Sequence, residues 1–352
     1  MEFGIFSNQQ RHMTDVQVSW EEDVHEVVVA EQVGLDVAWI SEHSGFRFLQ
    51  DAVVSAEMFI AKLAGMTSRI GLGSAVRRIA LEQPVNVAQQ AAMCDHLTGG
   101  RYRFGFGQGG PAIGYEQRGI TLADSHAMML ESIQVMLRCW REREPFDHAG
   151  PFYPGTGIDV WPKPAQQPFP VAMASTKPHL LQYGAREGFS LMTSQYARPQ
   201  TIRGLGEAWA TACELAGRTD ARSSITAVRA IHVAPTDEAA VRDIVPGWRE
   251  HLEFNKQHFG PVFNEWIPAG GALADLTFEQ LLREGLVFAG SPDTVAERIA
   301  GFYEESGGFG ALLGVMGKNW GTRQQRERSL ELFAGEVIPR LAHLDAPVAA
   351  GA

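Results

Sequence analysis

Cysteine is scarce in this chain. There are three in 352 residues, Cys94, Cys139 and Cys213. They stand far apart, without CxxC or metal-ligand spacing, which argues for reduced core residues rather than a disulfide framework or a thiolate metal site. Basic side chains are also few: 30 Lys and Arg against 41 Asp and Glu give a formal charge of -11. Such a surface repels phosphate backbones and anionic membranes, so a nucleic-acid role is disfavoured. No apolar run reaches the length that crosses a bilayer, and the segment from Met1 to Phe6 lacks the basic start and long apolar core of a secretion signal. The cytoplasm is the expected compartment. A GxSxG elbow is missing as well, and the Gly107–Gly110 run is neither GxGxxG nor a P-loop, since no Lys-Ser/Thr follows. No second histidine or paired carboxylate accompanies His43 at metal or glycosidase spacing, so metallohydrolase and glycosidase readings are weak.

What the chain has is 45% hydrophobic residues, enough for a large core, placed in short apolar runs that alternate with helical patterns. The runs Glu2–Ser7, Leu35–Ser41, Ile70–Ala75, Tyr102–Phe106, Val171–Ala174, Phe189–Thr193, Ile225–Val233 and Gly310–Val315 read as strands. They are apolar on both faces, as in a parallel sheet covered by helices. One intervening helix opens at Ser19 or Trp20. A long one is capped by Asp124 or Ser125 and carries a core stripe of Met129, Ile133, Met136, Leu137 and Trp140. Another starts at Ser291-Pro292, and Asp237–His258 is helical with a break at Pro246. About eight such units predict an α/β fold, a (β/α)8 TIM barrel with its site in the loops at the C-terminal strand ends. A doubly wound open sheet is the structural rival, because sequence does not show closure. A single domain over residues 1–345 is expected, with excursions at about 143–170 and 259–290 over the mouth and a disordered tail at 346–352.

The residues just past the predicted strands are Asn8-Gln9, Glu42-His43-Ser44, Ala75-Val76-Arg77, Gly107-Gln108-Gly109-Gly110, Ser175-Thr176-Lys177 and Ser194-Gln195. Phe104 and Phe106 share a face, and the side chains then shrink to glycine, which suits main chain approaching a ligand or turning sharply. His43 is the one evident proton-transfer group, although loop histidines are more often structural or merely solvated. Ser175, Thr176 and Lys177 precede a helix and could serve a phosphate at its N-terminus, or be an ordinary cap. Phe152, Tyr153, Trp161, Phe263 and Trp266 either wall an apolar pocket or pack the excursions down.

With these residues in view, the chain resembles the bacterial luciferase-like flavin-dependent monooxygenases. The matching stretches are Phe3–Phe6, Gly34–Ser44, Arg69–Val76, Gly100–Gly107 and Gly290–Val295, spread over nearly the whole length. Glu42-His43-Ser44, Gly107–Gly110, Thr176-Lys177 and Glu305–Gly308 look closest to the diketocamphane-type, type II Baeyer-Villiger enzymes. The resemblance implies a TIM barrel that uses O2 and reduced FMN, supplied by a separate flavin reductase, to oxygenate a small or medium apolar substrate by Baeyer-Villiger insertion or hydroxylation. It implies His43 as the active-site histidine beside the flavin ring and a non-proline cis peptide between Ala75 and Val76 facing it. The implied cofactor contacts are Ala75, Val76, Gly107, Gln108, Gly109, His126, Ser175, Thr176 and Lys177, with no metal. A homodimer built on the early barrel helices is implied too. One departure stands out: where luciferases place two arginines near the FMN phosphate, this chain has Gln108 and His126. Lys177 with Ser175 and Thr176 could take over the phosphate, the flavin could be held weakly as a diffusing substrate, or the cofactor could be deazaflavin F420. A flavin-binding barrel without oxygen chemistry is a weaker alternative.

Overall fold

The structure, a computed structural model, describes residues 1–8, 10–11, 15–44, 48–109 and 113–345. Gln9, Gly110 and the tail from Ala346, all named above, lie outside the described residues. Among the described residues nine parallel strands alternate with helices: β1 (Glu2–Ser7), β2 (Val37–Ile40), β3 (Gly71–Ser74), β4 (Tyr102–Gly107), β5 (Val171–Ala174), β6 (Ser190–Met192), β7 (Ile225–Val233), β8 (Val287–Gly290) and β9 (Ala311–Val315). Their order in the sheet is β8-β7-β9-β1-β2-β3-β4-β5-β6, and β7 also pairs with β6. The ring β1 to β7 plus β9 is thus a closed (β/α)8 barrel, not the open sheet.

By contacts the chain divides into two compact units. The first comprises residues 1–7, 25–36 and 193–352. In it β1 runs parallel to β9, and β9 and β8 both pair with β7. β8 is absent from the sequence reading: Val287–Gly290 is only four residues long and buried throughout, and so short an apolar run carries no period. The predicted break at Pro246 does not occur, because Asp237–Phe259 is one helix with the proline inside. Gly260–Trp266 forms a 3-10 turn whose Phe263 and Trp266 are fully buried. Tyr196 meets Phe263 edge-on, and the Trp266 indole N–H donates to the Tyr196 carbonyl at 2.5 Å. These two aromatics therefore pack the excursion down rather than wall a pocket.

The second unit comprises residues 8–24 and 37–192. Besides β2 to β6 it holds helices α1 (Ala56–Ala64), α2 (Pro84–Leu97), α3 (Leu122–Arg141) and α4 (Pro178–Glu187). All five residues of the predicted α3 stripe are buried. Trp140 packs edge-on against Phe104 and Phe169, and its indole N–H donates to the Ala88 carbonyl at 2.9 Å. The cap of α3 is Thr121, whose hydroxyl accepts the Asp124 N–H at 3.1 Å; Ser125 is left for another contact. Within the 143–170 excursion, Phe146–His148 and Gly155–Ile158 pair as an antiparallel hairpin. Buried Glu131 of α3 anchors it, accepting the N–H groups of Phe152 and Tyr153 and lying 3.2 Å from His148 Nε2. Trp161 remains 55% exposed. Among the described residues, no helix is long and apolar enough to cross a membrane.

Candidate active site

Strand register in the second unit decides which residues meet. Ile40 is opposite Ser74, and Gly107 is opposite Ala174, so His43, Ala75-Val76, Gln108-Gly109 and Ser175–Lys177 all follow neighbouring strand ends. The Ala75–Val76 peptide is cis, the geometry that the resemblance implies. Arg77 continues the pairing with β4: its N–H donates to the Gly105 carbonyl, and its carbonyl accepts the Gly107 N–H. At Gly107 the backbone is in close contact on both sides. A Cβ there would lie 3.0 Å from Val76 Cγ2 and 3.1 Å from the Ala174 oxygen, which only glycine avoids. Gly109 has φ of 69°, a left-handed turn that glycine adopts freely.

His43 is half-buried, its N–H donates to the Val53 carbonyl at 3.0 Å, and its Nδ1 lies 3.5 Å from Ser41 Oγ. That leaves an imidazole whose one nitrogen faces a hydroxyl partner, as a group that holds or moves a proton requires.

Gln108, His126 and Lys177 form a second group. The Gln108 amide donates to Ser125 Oγ at 2.9 Å, and its Nε2 lies 3.4 Å from His126 Nδ1. Tyr115 donates its hydroxyl proton to the Gln108 carbonyl. Burial holds the His126 imidazole below the usual histidine range, and the nearby Lys177 and His179 push the same way. Lys177 occupies the cap position of α4 with no side-chain cap bond, and Ser175 Oγ accepts the Lys177 N–H at 3.2 Å. Lys177 and His179 are exposed. Lys177 and His179, at the N-terminus of the ten-residue α4, are thus near enough to His126 to act on its charge, and a helix N-terminus beside such groups favours an anion. Sequence reasoning misses Ser125 and His179 as site residues: Ser125 offers itself as a helix cap, and His179 lies two residues past the Ser175–Lys177 triplet.

Residues 1–309 match the family model of luciferase-like monooxygenases. The chain belongs to that family. As a luciferase-like monooxygenase it is 30% identical over 327 residues to the 4-hydroxyprotoasukamycin monooxygenase of Streptomyces nodosus subsp. asukaensis, covering 88% of this chain and 84% of that one. Among solved structures it is similar to the oxygenating constituent of 3,6-diketocamphane monooxygenase from the CAM plasmid of Pseudomonas putida, a type II Baeyer-Villiger monooxygenase in complex with FMN. The TM-score is 0.81 at 24% identity, over 97% of this chain and 98% of that one. The coenzyme F420-dependent tetrahydromethanopterin reductase of Methanopyrus kandleri shares the fold with a TM-score of 0.71 at 19% identity, over 96% and 98%. The chain is therefore an oxidoreductase of a class that contains both flavin- and F420-dependent members.

The residues present fit a flavin mononucleotide. Gly107 leaves bare main chain beside the cis Ala75–Val76 peptide for a flat ring to lie against, and the Gln108, His126 and Lys177 side chains suit a phosphate. Neither of the two former positions supplies a guanidinium fork, so the phosphate grip differs in kind from one built on arginine.

Proposed function

We propose that this enzyme uses reduced FMN and O2 to oxygenate a small or medium apolar organic substrate, by Baeyer-Villiger insertion or hydroxylation. The observation that carries the proposal is the pairing of a phosphate-suited corner with a glycine-lined strand end and a half-buried histidine in one compact unit. When bound, reduced flavin supplies the two electrons that bring one atom of O2 into the substrate and the other into water. Gln108, Lys177 and His126 would hold the phosphate, the Ala75–Val76 peptide and Gly107 would support the ring, and His43, beside Ser41, would hold or transfer a proton at its imidazole.

The reduced flavin comes from a separate cytoplasmic reductase, a reading supported by the description of the Pseudomonas relative as an oxygenating constituent. A homodimer is proposed through α1 and α2, where Met58, Met93 and Leu97 are exposed. The second reading, F420-dependent hydride transfer, is favoured by one observation: with Gln108 and His126 in place of arginines, the phosphate grip is not specific to FMN. Titrating the protein with FMN and with F420, then following a panel of apolar ketones and aldehydes by mass spectrometry with reduced FMN and O2, separates them. FMN binding and products heavier by one oxygen support the proposal. F420 binding with reduced product and no oxygen gain contradicts it.

A further inference from the structure

A buried charge cluster lies directly behind the strand ends of the second unit. Arg77, 2% exposed, follows the Ala75–Val76 peptide by one residue, and its guanidinium faces three carboxylates. Nη1 donates to Glu57, Nη2 donates to Glu82 Oε1 at 2.6 Å, and Nε lies 3.3 Å from Glu42 Oε2. Glu57 also accepts the Tyr102 hydroxyl at 2.7 Å. Glu42 accepts the N–H of Ala56, the first residue of α1, at 3.0 Å. The cluster thus joins the segment after β2, helix α1, the segment after β3 and the start of β4. Apart from Arg77 and Glu82, five residues apart, its charged members come from distant parts of the sequence.

One cation against three acids leaves surplus negative charge in a place that water does not reach, and buried charge without a partner is costly. Glu82 keeps 37% of its side chain exposed and is solvated by water. Glu57 has two donors, Arg77 and Tyr102. Glu42 has one backbone donor and the longest approach to Arg77, so the surplus proton resides there.

We propose that Glu42 is a positioning residue: its carboxyl ties the strand end that carries His43 to α1 and to Arg77, and its ionisation at higher pH sets three carboxylates around one guanidinium, so that repulsion from Glu57 and Glu82 loosens that end and the neighbouring 75–76 peptide. The proposal rests on the flavin-site reading for its functional consequence, but not for the proton itself. Burial raises the Glu42 carboxyl to about 8, with Arg77 opposing and Glu57 and Glu82 adding to the rise. The other titratable or charged groups around the cluster are Arg78, Tyr102 and, on α2, Cys94 and Asp95. Burial drives the Cys94 thiol and the Tyr102 phenol upward, so neither titrates before Glu42.

The test follows the His43 Cε1–H resonance by NMR from about pH 6 to pH 10 in the full flavin-free chain, assigned by its loss in His43→Ala, alongside FMN affinity over the same range. In the wild type the resonance shows an added inflection near pH 8, and FMN affinity falls roughly tenfold across it. Glu42→Gln, which mimics the neutral carboxyl, lacks the inflection and has a flat affinity profile. Glu82→Gln removes a negative neighbour and moves the inflection to lower pH. An inflection that persists in Glu42→Gln, or does not move in Glu82→Gln, overturns the assignment of the proton. An inflection confined to the wild type with a flat wild-type FMN profile overturns the positioning role. A chain that binds no FMN at any pH overturns the flavin-site reading, and the resonance still decides where the proton is.

Discussion

Lys177→Ala isolates the phosphate grip. Lys177 is exposed at the cap of α4, beside His126. An ammonium about 4 Å from a phosphate charge gains about 1 kcal/mol in bulk water and about 4 kcal/mol at an effective dielectric of 20. Exposure places Lys177 near the lower figure, so its loss costs about 1–1.5 kcal/mol, or about five- to tenfold in FMN affinity. The effect shrinks with added salt, because exposed pairs are screened over roughly 8–10 Å at 0.1–0.15 M. The assay is quenching of flavin fluorescence on titration, run with FMN and with riboflavin, which has the same ring and no phosphate. The reasoning requires weaker FMN binding at low salt and unchanged riboflavin binding. Equal loss for both ligands, or no loss for either, refutes it.

Three further outcomes follow from neighbouring residues. A bound phosphate raises the pKa of His126, which Lys177, His179 and burial hold low in the free protein; the complex then binds more protons, and FMN affinity rises as pH falls through the histidine range relative to His126→Asn, in which only the phosphate itself titrates. His126→Arg supplies a permanent fork and tightens FMN binding by roughly tenfold with a flatter pH profile, read by the same titration. Glu131→Ala strips the buried acceptor from the Phe152 and Tyr153 N–H groups, costing about 2–4 kcal/mol in denaturant unfolding and opening the 146–158 hairpin to proteolysis.

The strand ends were legible because their signals are local. Apolar runs followed by Glu42-His43, Ala75-Val76, Gly107-Gln108 and Ser175-Thr176 placed these residues together once a barrel was assumed, and register agrees. The Ser291-Pro292 helix start was equally local: Ser291 accepts the Thr294 N–H and proline takes the first helical position. What escaped was set by contacts across the chain. The 155–158 strand has no fully buried residue, so its sequence carries no alternation to read. Thr121 outcompeted Asp124 and Ser125 as cap because each is a good acceptor, and helix boundaries carry that ambiguity. The Arg77 cluster draws on positions 42, 57, 82 and 102, and no window of sequence shows that three acids share one guanidinium. The resemblance named His126, but its proximity to Lys177 and His179 is visible only in the fold.

Oxygen transfer from O2 with FMN as the electron source is the reaction proposed for this enzyme. It is tested most directly by supplying the protein with FMN reduced by an added flavin reductase, a panel of apolar substrates and 18O2, and weighing the products. The account predicts a product carrying one 18O atom that forms only when the protein, reduced FMN and O2 are all present, and that is lost or sharply reduced in His43→Ala. A product without 18O, or turnover that needs reduced F420 and proceeds without O2, contradicts it.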